Sequence, residues 1–145
     1  MSDTTSQQLV VFSLGSEEYA LPIGAVHEII RFTEPRSVAS GAVWVRGVIG
    51  LRGKIIPIFD LASRMGVAAS EPAKIVIFES GTGQVGVMVD EVEEVLTVTS
   101  EQLEDVPSAA SDAIDAIAKI EDRLVILLNP VGLFARSGAD NRAPA

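Results

Sequence analysis

Asp60, Asp90 and Asp122 each stand near the end of an apolar run, where a carboxylate has two kinds of work open to it. It can hold a metal or exchange a proton, or it can cap a turn by accepting backbone N–H groups. No second ligating group accompanies any of the three at metal-binding spacing, so turn capping is the expectation. His27 is the single histidine and cysteine is absent, so no catalytic triad, thiolate zinc site, thiol nucleophile or disulfide can be assembled. Gly81-Thr82-Gly83 lacks the following Gly-Lys-Ser/Thr of a phosphate-binding loop. That leaves Arg52, in Leu51-Arg52-Gly53-Lys54, between the apolar runs Val43–Ile49 and Lys54–Leu61. A guanidinium at a turn is permanently charged and offers a planar fork of donors, which suits it to a partner's carboxylate or carbonyls. The alternative is a solvated or intramolecular turn arginine.

The elements that would position Arg52 are strands. Val and Ile dominate both flanks, as in pleated, half-buried strands, and glycines at 50 and 53 are expected to let the backbone reverse. Pro57 lacks a ladder donor, which places this hairpin at the rim of its sheet. Further strands are expected at Leu9–Leu14, Tyr19–Ile23, Lys74–Phe78, Gln84–Val89 and Leu124–Leu128, with Ser80-Gly81-Thr82-Gly83 as a hairpin loop. Ile114, Ile117 and Ile120 recur at helical spacing, but the turn residues Glu121-Asp122-Arg123 favour a strand over Ala116–Ile120. Gly24–Ile30 fits a short helix or a strand. Loops are expected at Thr33–Ser40 and Thr99–Ser111, a connector with a helical turn at Ala62–Met65, and the start of a short helix at Val131–Ala135. Many short strands with turns every 8–12 residues indicate a mainly β sandwich or barrel. No fixed-period repeat is evident.

Composition narrows the function classes. The chain has 145 residues and is 48% hydrophobic but only 5% aromatic, so a core of Val, Ile, Leu and Ala is readily filled. Two lobes in so short a chain are expected to share a core, because separate units of half the size bury proportionally less surface. The net charge of −9 with no basic run disfavours nucleic acid and anionic membrane surfaces. The polar start lacks a signal core and no apolar run approaches membrane-spanning length, so no direct membrane insertion and a cytoplasmic location are expected.

The run Gly47-Val48-Ile49-Gly50-Leu51-Arg52-Gly53-Lys54-Ile55-Ile56-Pro57-Ile58-Phe59-Asp60-Leu61 resembles the central motif of the CheW family, adaptors of bacterial chemotaxis arrays, with Gly50 where that family usually has Asn. Val11–Tyr19, Val26-His27-Glu28-Ile29, Trp44–Val48, Gly86–Val92 and Ala118–Asn129 are similar to its other motifs, in the same order, so the likeness spans roughly Leu9 to Phe134. The resemblance implies an all-β fold of two packed five-stranded SH3-like β-barrel lobes with short helical segments. The expected division is a disordered leader at 1–8, one domain over 9–135 with lobe 1 at 16–68 and lobe 2 at 9–15 plus 72–135, and a flexible tail at 136–145. It further implies a non-catalytic adaptor with no cofactor or metal. Its partners would be the regulatory domain of the histidine kinase CheA and the cytoplasmic tip of methyl-accepting chemoreceptors, in membrane-associated arrays. On that resemblance Val26, Glu28, Leu51, Arg52, Gly53, Val92 and Val95 form the partner-binding set. The competing readings are a related scaffold of a pilus or biofilm pathway and a small β-barrel enzyme using Asp60 or Asp90.

Overall fold

The computed structural model describes residues 6–38, 44–68, 71–106 and 112–134. Eleven strands run in chain order as β1 (Ser6–Leu14), β2 (Glu17–Pro22), β3 (Val26–Arg31), β4 (Val45–Leu51), β5 (Lys54–Phe59), β6 (Lys74–Glu79), β7 (Gln84–Val89), β8 (Glu91–Thr99), β9 (Leu103–Asp105), β10 (Ile114–Ile120) and β11 (Arg123–Leu128). One short helix, α1 (Leu61–Met65), follows β5, and single 3₁₀ turns occupy Ile23–Ala25 and Ser100–Gln102.

The strands form two sheets. A central lobe has the order β3-β6-β7-β5-β4, and a terminal lobe, built from both ends of the chain, has the order β8-β1-β2-β11-β10-β9. In each sheet the two outer strands are linked. In the central lobe Arg36 exchanges two backbone hydrogen bonds with Val48, at 2.8 and 2.9 Å, carrying the segment beyond β3 onto β4. In the terminal lobe the outer strands β8 and β9 are joined by the 3₁₀ turn, whose capping residue Thr99 donates its N–H to Gln102 Oε1 at 2.8 Å.

Three apolar clusters explain why the strand sequences look continuously hydrophobic. Leu9, Val11, Ala20, Val98, Val125 and Leu127 fill the terminal lobe. Ile49, Ile56, Ile58, Ile75, Ile77 and Met88 fill the central lobe. Between the sheets lies a shared core containing Phe12, Tyr19, Leu21, Val76, Phe78 and Val87. Successive side chains of a strand point to opposite faces. So in β6 Ile75 and Ile77 enter the lobe while Val76 and Phe78 enter the shared core. Gly86 in β7 belongs to this arrangement, since a Cβ there would lie 2.8 Å from Ile58 Cδ1 and 2.9 Å from Ile75 Cγ2.

The lobes repeat one another. Val45 corresponds to Ile114, Lys54 to Arg123 and Asp60 to Asn129, a constant displacement of 69 residues. β4 and β10 have the same length and the same order of buried and exposed positions. β5 pairs in parallel with β7, as β11 does with β2. Asp60 N donates to Trp44 O and Asn129 N to Ala113 O, both at 2.8 Å. The repeat escapes the sequence because it is kept in burial and bonding, with few residue types in common.

Several expectations are corrected. Glu17–Pro22 belongs with the terminal strands, and Lys74–Val89 belongs to the central lobe, the reverse of the division expected from sequence. The reason is that each sheet is joined in its interior by a non-local parallel pair, which local pattern does not specify. The terminal sheet has a sixth strand, β9, inside a segment expected as loop, with residues 107–111 outside the described set. β1 begins at Ser6, and Ser6–Gln8 pair with Thr97–Thr99, so those residues are strand where a disordered leader was expected; 1–5 and the tail 136–145 lie outside the described residues. The β4–β5 hairpin does stand at the end of the central sheet's order, as expected, with β4 outermost; Pro57 itself lies in the inner strand β5 and is tolerated because the ladder to β7 begins only at Ile58. The strand at Ile114–Ile120 extends the expected one by two residues, and Val131–Phe134 forms turns where a helix start was expected.

Gly47 and Gly50 make a test of what β4 requires. A Cβ on Gly47 would lie 2.3 Å from the carbonyl oxygen of Arg36, which is backbone and part of lobe closure, whereas a Cβ on Gly50 meets nothing. Gly47→Ala should destabilise the protein by about 3 kcal/mol, and Gly50→Ala should leave stability unchanged or raised by about 0.5 kcal/mol. Urea denaturation of both variants measures the contrast.

Candidate partner-binding surface

Leu51 and Lys54 are paired across a two-residue turn in which Arg52 (φ 51°) and Gly53 (φ 79°) both have positive φ. This is the mirrored turn whose twist matches antiparallel strands. Gly50 takes no part in the reversal expected of it: it lies in β4, opposite Ile55. An arginine held in the left-handed region at the turn's first position has its backbone fixed by the hairpin, so its side chain starts from a rigid point.

The side chain of Arg52 is 69% exposed, and its Nη1 donates to Glu28 Oε1 on β3. β3 and β4 stand at opposite ends of the central sheet's pairing order, so this ion pair spans the seam where the lobe closes. Glu28 follows a bulge at His27, where the register slips between Val26↔Phe78 and Glu28↔Ile77. The extra residue re-aims the strand. Val26, half-buried, packs against the shared core.

The other members of the expected set fall in three places. Leu51 is half-buried against the central lobe's own cluster, so it anchors the hairpin from within. Val92 lies opposite Phe12 and packs, like Val26, against the shared core. Val95 is 51% exposed and lies opposite Val10, on the far side of the β8 bulge from Val92. The structure thus joins Arg52 with Glu28, sets Val26 and Val92 on one core from the two lobes, and leaves Val95 outward.

Asp60 and Asp90 use their oxygens to cap backbone N–H groups. Asp60 caps α1, accepting from Ser63 N and Ser63 Oγ, each at 3.1 Å, and lies 3.5 Å from Arg46. Asp90 Oδ2 accepts from Gly15 N at 2.7 Å, fastening the β1–β2 turn. Among the described residues no three carboxylate or histidine groups are placed to hold a metal ion. No helix among them is long and apolar enough to cross a membrane.

Two arrangements were not foreseen. Arg123 donates from Nε and Nη2 to both oxygens of Glu18, at 3.0 and 3.1 Å, and Nη2 lies 2.7 Å from Glu94. The hydrogen bonds to Glu18, then to Glu94, hold its guanidinium above the usual arginine range. Glu18 and Arg123 are 105 residues apart, so no local pattern announces the pair. At the lobe junction Phe134 stacks on Phe59 with centroids 4.2 Å apart, and Trp44 sits 6.2 Å from Phe134. Arg64 lies over Trp44 and donates to Leu133 O at 2.7 Å.

Residues 8–138 match the CheW-like domain. The chain belongs to the CheW-like family. It is 33% identical over 135 residues to a chemotaxis protein CheW of Rhizobium meliloti, covering 88% of this chain and 87% of that protein. It is 31% identical over 134 residues to the CheW of Klebsiella aerogenes, covering 88% and 81%. The crystal structure of the scaffolding protein TtCheW from Thermoanaerobacter tengcongensis superposes with a TM-score of 0.79 at 31% identity, covering 86% of this chain and 90% of that one. This CheW-family chain is a chemotaxis scaffold, and these relatives favour that role over the pilus-pathway and enzyme readings.

The two arginines differ in what their loss should do to the fold. Arg52→Ala removes one exposed ion pair and should change stability by less than about 0.5 kcal/mol. Arg123→Ala leaves Glu18 and Glu94 facing each other without their shared cation and should cost about 1–2 kcal/mol. Thermal unfolding at low and high salt separates the two, the second loss shrinking as salt rises.

Proposed function

We propose that this chain works without chemistry, holding the cytoplasmic tip of a methyl-accepting chemoreceptor on one face and the regulatory domain of the kinase CheA on others, in arrays on the cytoplasmic side of the membrane. The observation that carries this reading is the Arg52 tip: an exposed guanidinium on a two-residue turn, braced by Glu28 across the lobe seam. A cation so fixed loses little side-chain freedom when a partner's carboxylate or carbonyl docks. Val26 and Val92 supply half-buried apolar surface on either side of the lobe junction. Apolar contact there would give affinity, while the Glu28–Arg52 charges set register.

A calorimetric titration against the CheA regulatory domain of the same organism tests the coupling. Saturable one-to-one binding is expected. Arg52→Ala should weaken kinase activation in reconstituted receptor arrays about tenfold with an unchanged circular dichroism spectrum. Unaltered array assembly and activation by that variant would remove Arg52 from the site.

A further inference from the structure

Arg31 and Lys74 stand directly opposite each other where β3 pairs with β6. Like charges so placed repel and weaken a sheet. Acidic residues outnumber basic ones by 20 to 11 in this chain, yet among the described residues no carboxylate pairs with either side chain. Arg46, Arg52, Lys119 and Arg123 each find one. Arg31 is exposed, but Lys74 is half-buried, so one of the two charges is partly desolvated with no counter-ion beside it.

The ladder fixes which way the pair faces. In β6 Val76 and Phe78 point into the shared core, and Lys74 alternates with them. Their opposite numbers in β3 share that face: Val26 beside Phe78, Ile29 beside Val76 and Arg31 beside Lys74. Val26 packs on the core, Ile29 is 40% exposed and Arg31 is open, so the apolar face continues past the core and ends in two cations. On its other side Lys74 pairs with Val89, and two residues later the chain enters β8 at Glu91. Val92 therefore stands at the same end of the lobe junction. The result is a shelf, apolar at Val26, Ile29 and Val92 and cationic at Arg31 and Lys74.

We infer that Arg31 and Lys74 form a carboxylate-binding pair, which selects receptor tips that present an acidic side chain beside their apolar contact with this shelf. The inference rests on the receptor reading for the identity of the partner, and adds to it the residues that discriminate among receptors. Side chains directly opposite in a ladder have Cβ atoms about 5 Å apart, near enough to close on one carboxylate. Arginine supplies a planar fork of donors and lysine a point charge. The repulsion that weakens the free sheet is relieved when the anion arrives, so the pair serves binding at some cost to the fold. A receptor with a cation at that point meets two like charges and is refused.

Calorimetric titration of the full chain with a cytoplasmic chemoreceptor fragment from the same organism, at low and high salt, tests it. Arg31→Gln and Lys74→Met should each weaken binding about three- to tenfold at low salt, and the loss should shrink as salt rises. Arg31→Lys, which keeps the charge, should retain most of the affinity. The free variants should move the other way, melting at or up to about 3 °C above wild type, because the repulsion is gone. Replacing the acidic residues of the receptor tip by their amides, one at a time, should find one change that weakens binding to wild type and has no effect on the Arg31→Gln/Lys74→Met double variant. Wild-type affinity in both single variants, or no such acidic residue, would overturn the inference and leave the receptor reading standing. Melting temperatures that fall by more than a few degrees in both variants would assign the pair to the fold and overturn it as well. A wild type that binds no receptor fragment would overturn the receptor reading and the inference with it.

Discussion

The shared core between the sheets is the constraint from which the rest of the molecule follows. Phe12, Tyr19 and Leu21 enter it from the terminal lobe and Val76, Phe78 and Val87 from the central lobe. A lobe of this size alone buries too little surface for comfortable stability, and burying the second face of each sheet makes up the shortfall. That burial has a geometric consequence. Strands β1, β2, β6 and β7 have both faces covered along much of their length, so they cannot present side chains to a partner. Recognition is left to the hairpins β4–β5 and β10–β11, to β3 and β8, and to the turns between them.

Those remaining strands are built on one frame with different chemistry at the tip. The repeat fixes strand length, inward positions and the backbone bond that ends each hairpin. Against that constant background the central hairpin turns through Arg52-Gly53 and the terminal one through Glu121-Asp122. Each lobe also ties its hairpin down with an arginine–glutamate contact, Arg52 to Glu28 in one and Arg123 to Glu18 and Glu94 in the other. For a protein whose task is to hold others in place, rigidity at the point of contact replaces the mobile loops that a catalyst uses.

The sequence conveys strands better than it conveys their partners. Val and Ile runs broken by Gly81-Thr82-Gly83, Arg52-Gly53 and Glu121-Asp122 mark the hairpins because the turn chemistry is local. The assignment of β2 and of β6–β7 to lobes failed because each is decided by a parallel neighbour far along the chain, β11 for β2 and β5 for β7. Pro57 pointed rightly to the rim for its hairpin but not for its own strand: a proline forbids a ladder bond, and whether a ladder exists at that residue depends on where β7 begins. Arg52 stood out through its turn and through family resemblance, while its partner Glu28 was recognised only by resemblance. Their direct contact needs the closure of a five-stranded sheet, which no window of the sequence contains.

The interleaving of the lobes also imposes an order on their birth at the ribosome. Residues 26–89 hold every strand of the central lobe, so that lobe has all its partners as soon as β7 emerges. β1 and β2 are made before it, yet their neighbours β8 and β11 are not complete until Leu128. At about 5–20 residues per second, the first hairpin waits on the order of 5–20 s for those neighbours. The finished central lobe already carries Val76, Phe78 and Val87, the side chains against which Phe12, Tyr19 and Leu21 pack in the mature protein, so its inner wall is available to hold the earliest strands before their own sheet is complete.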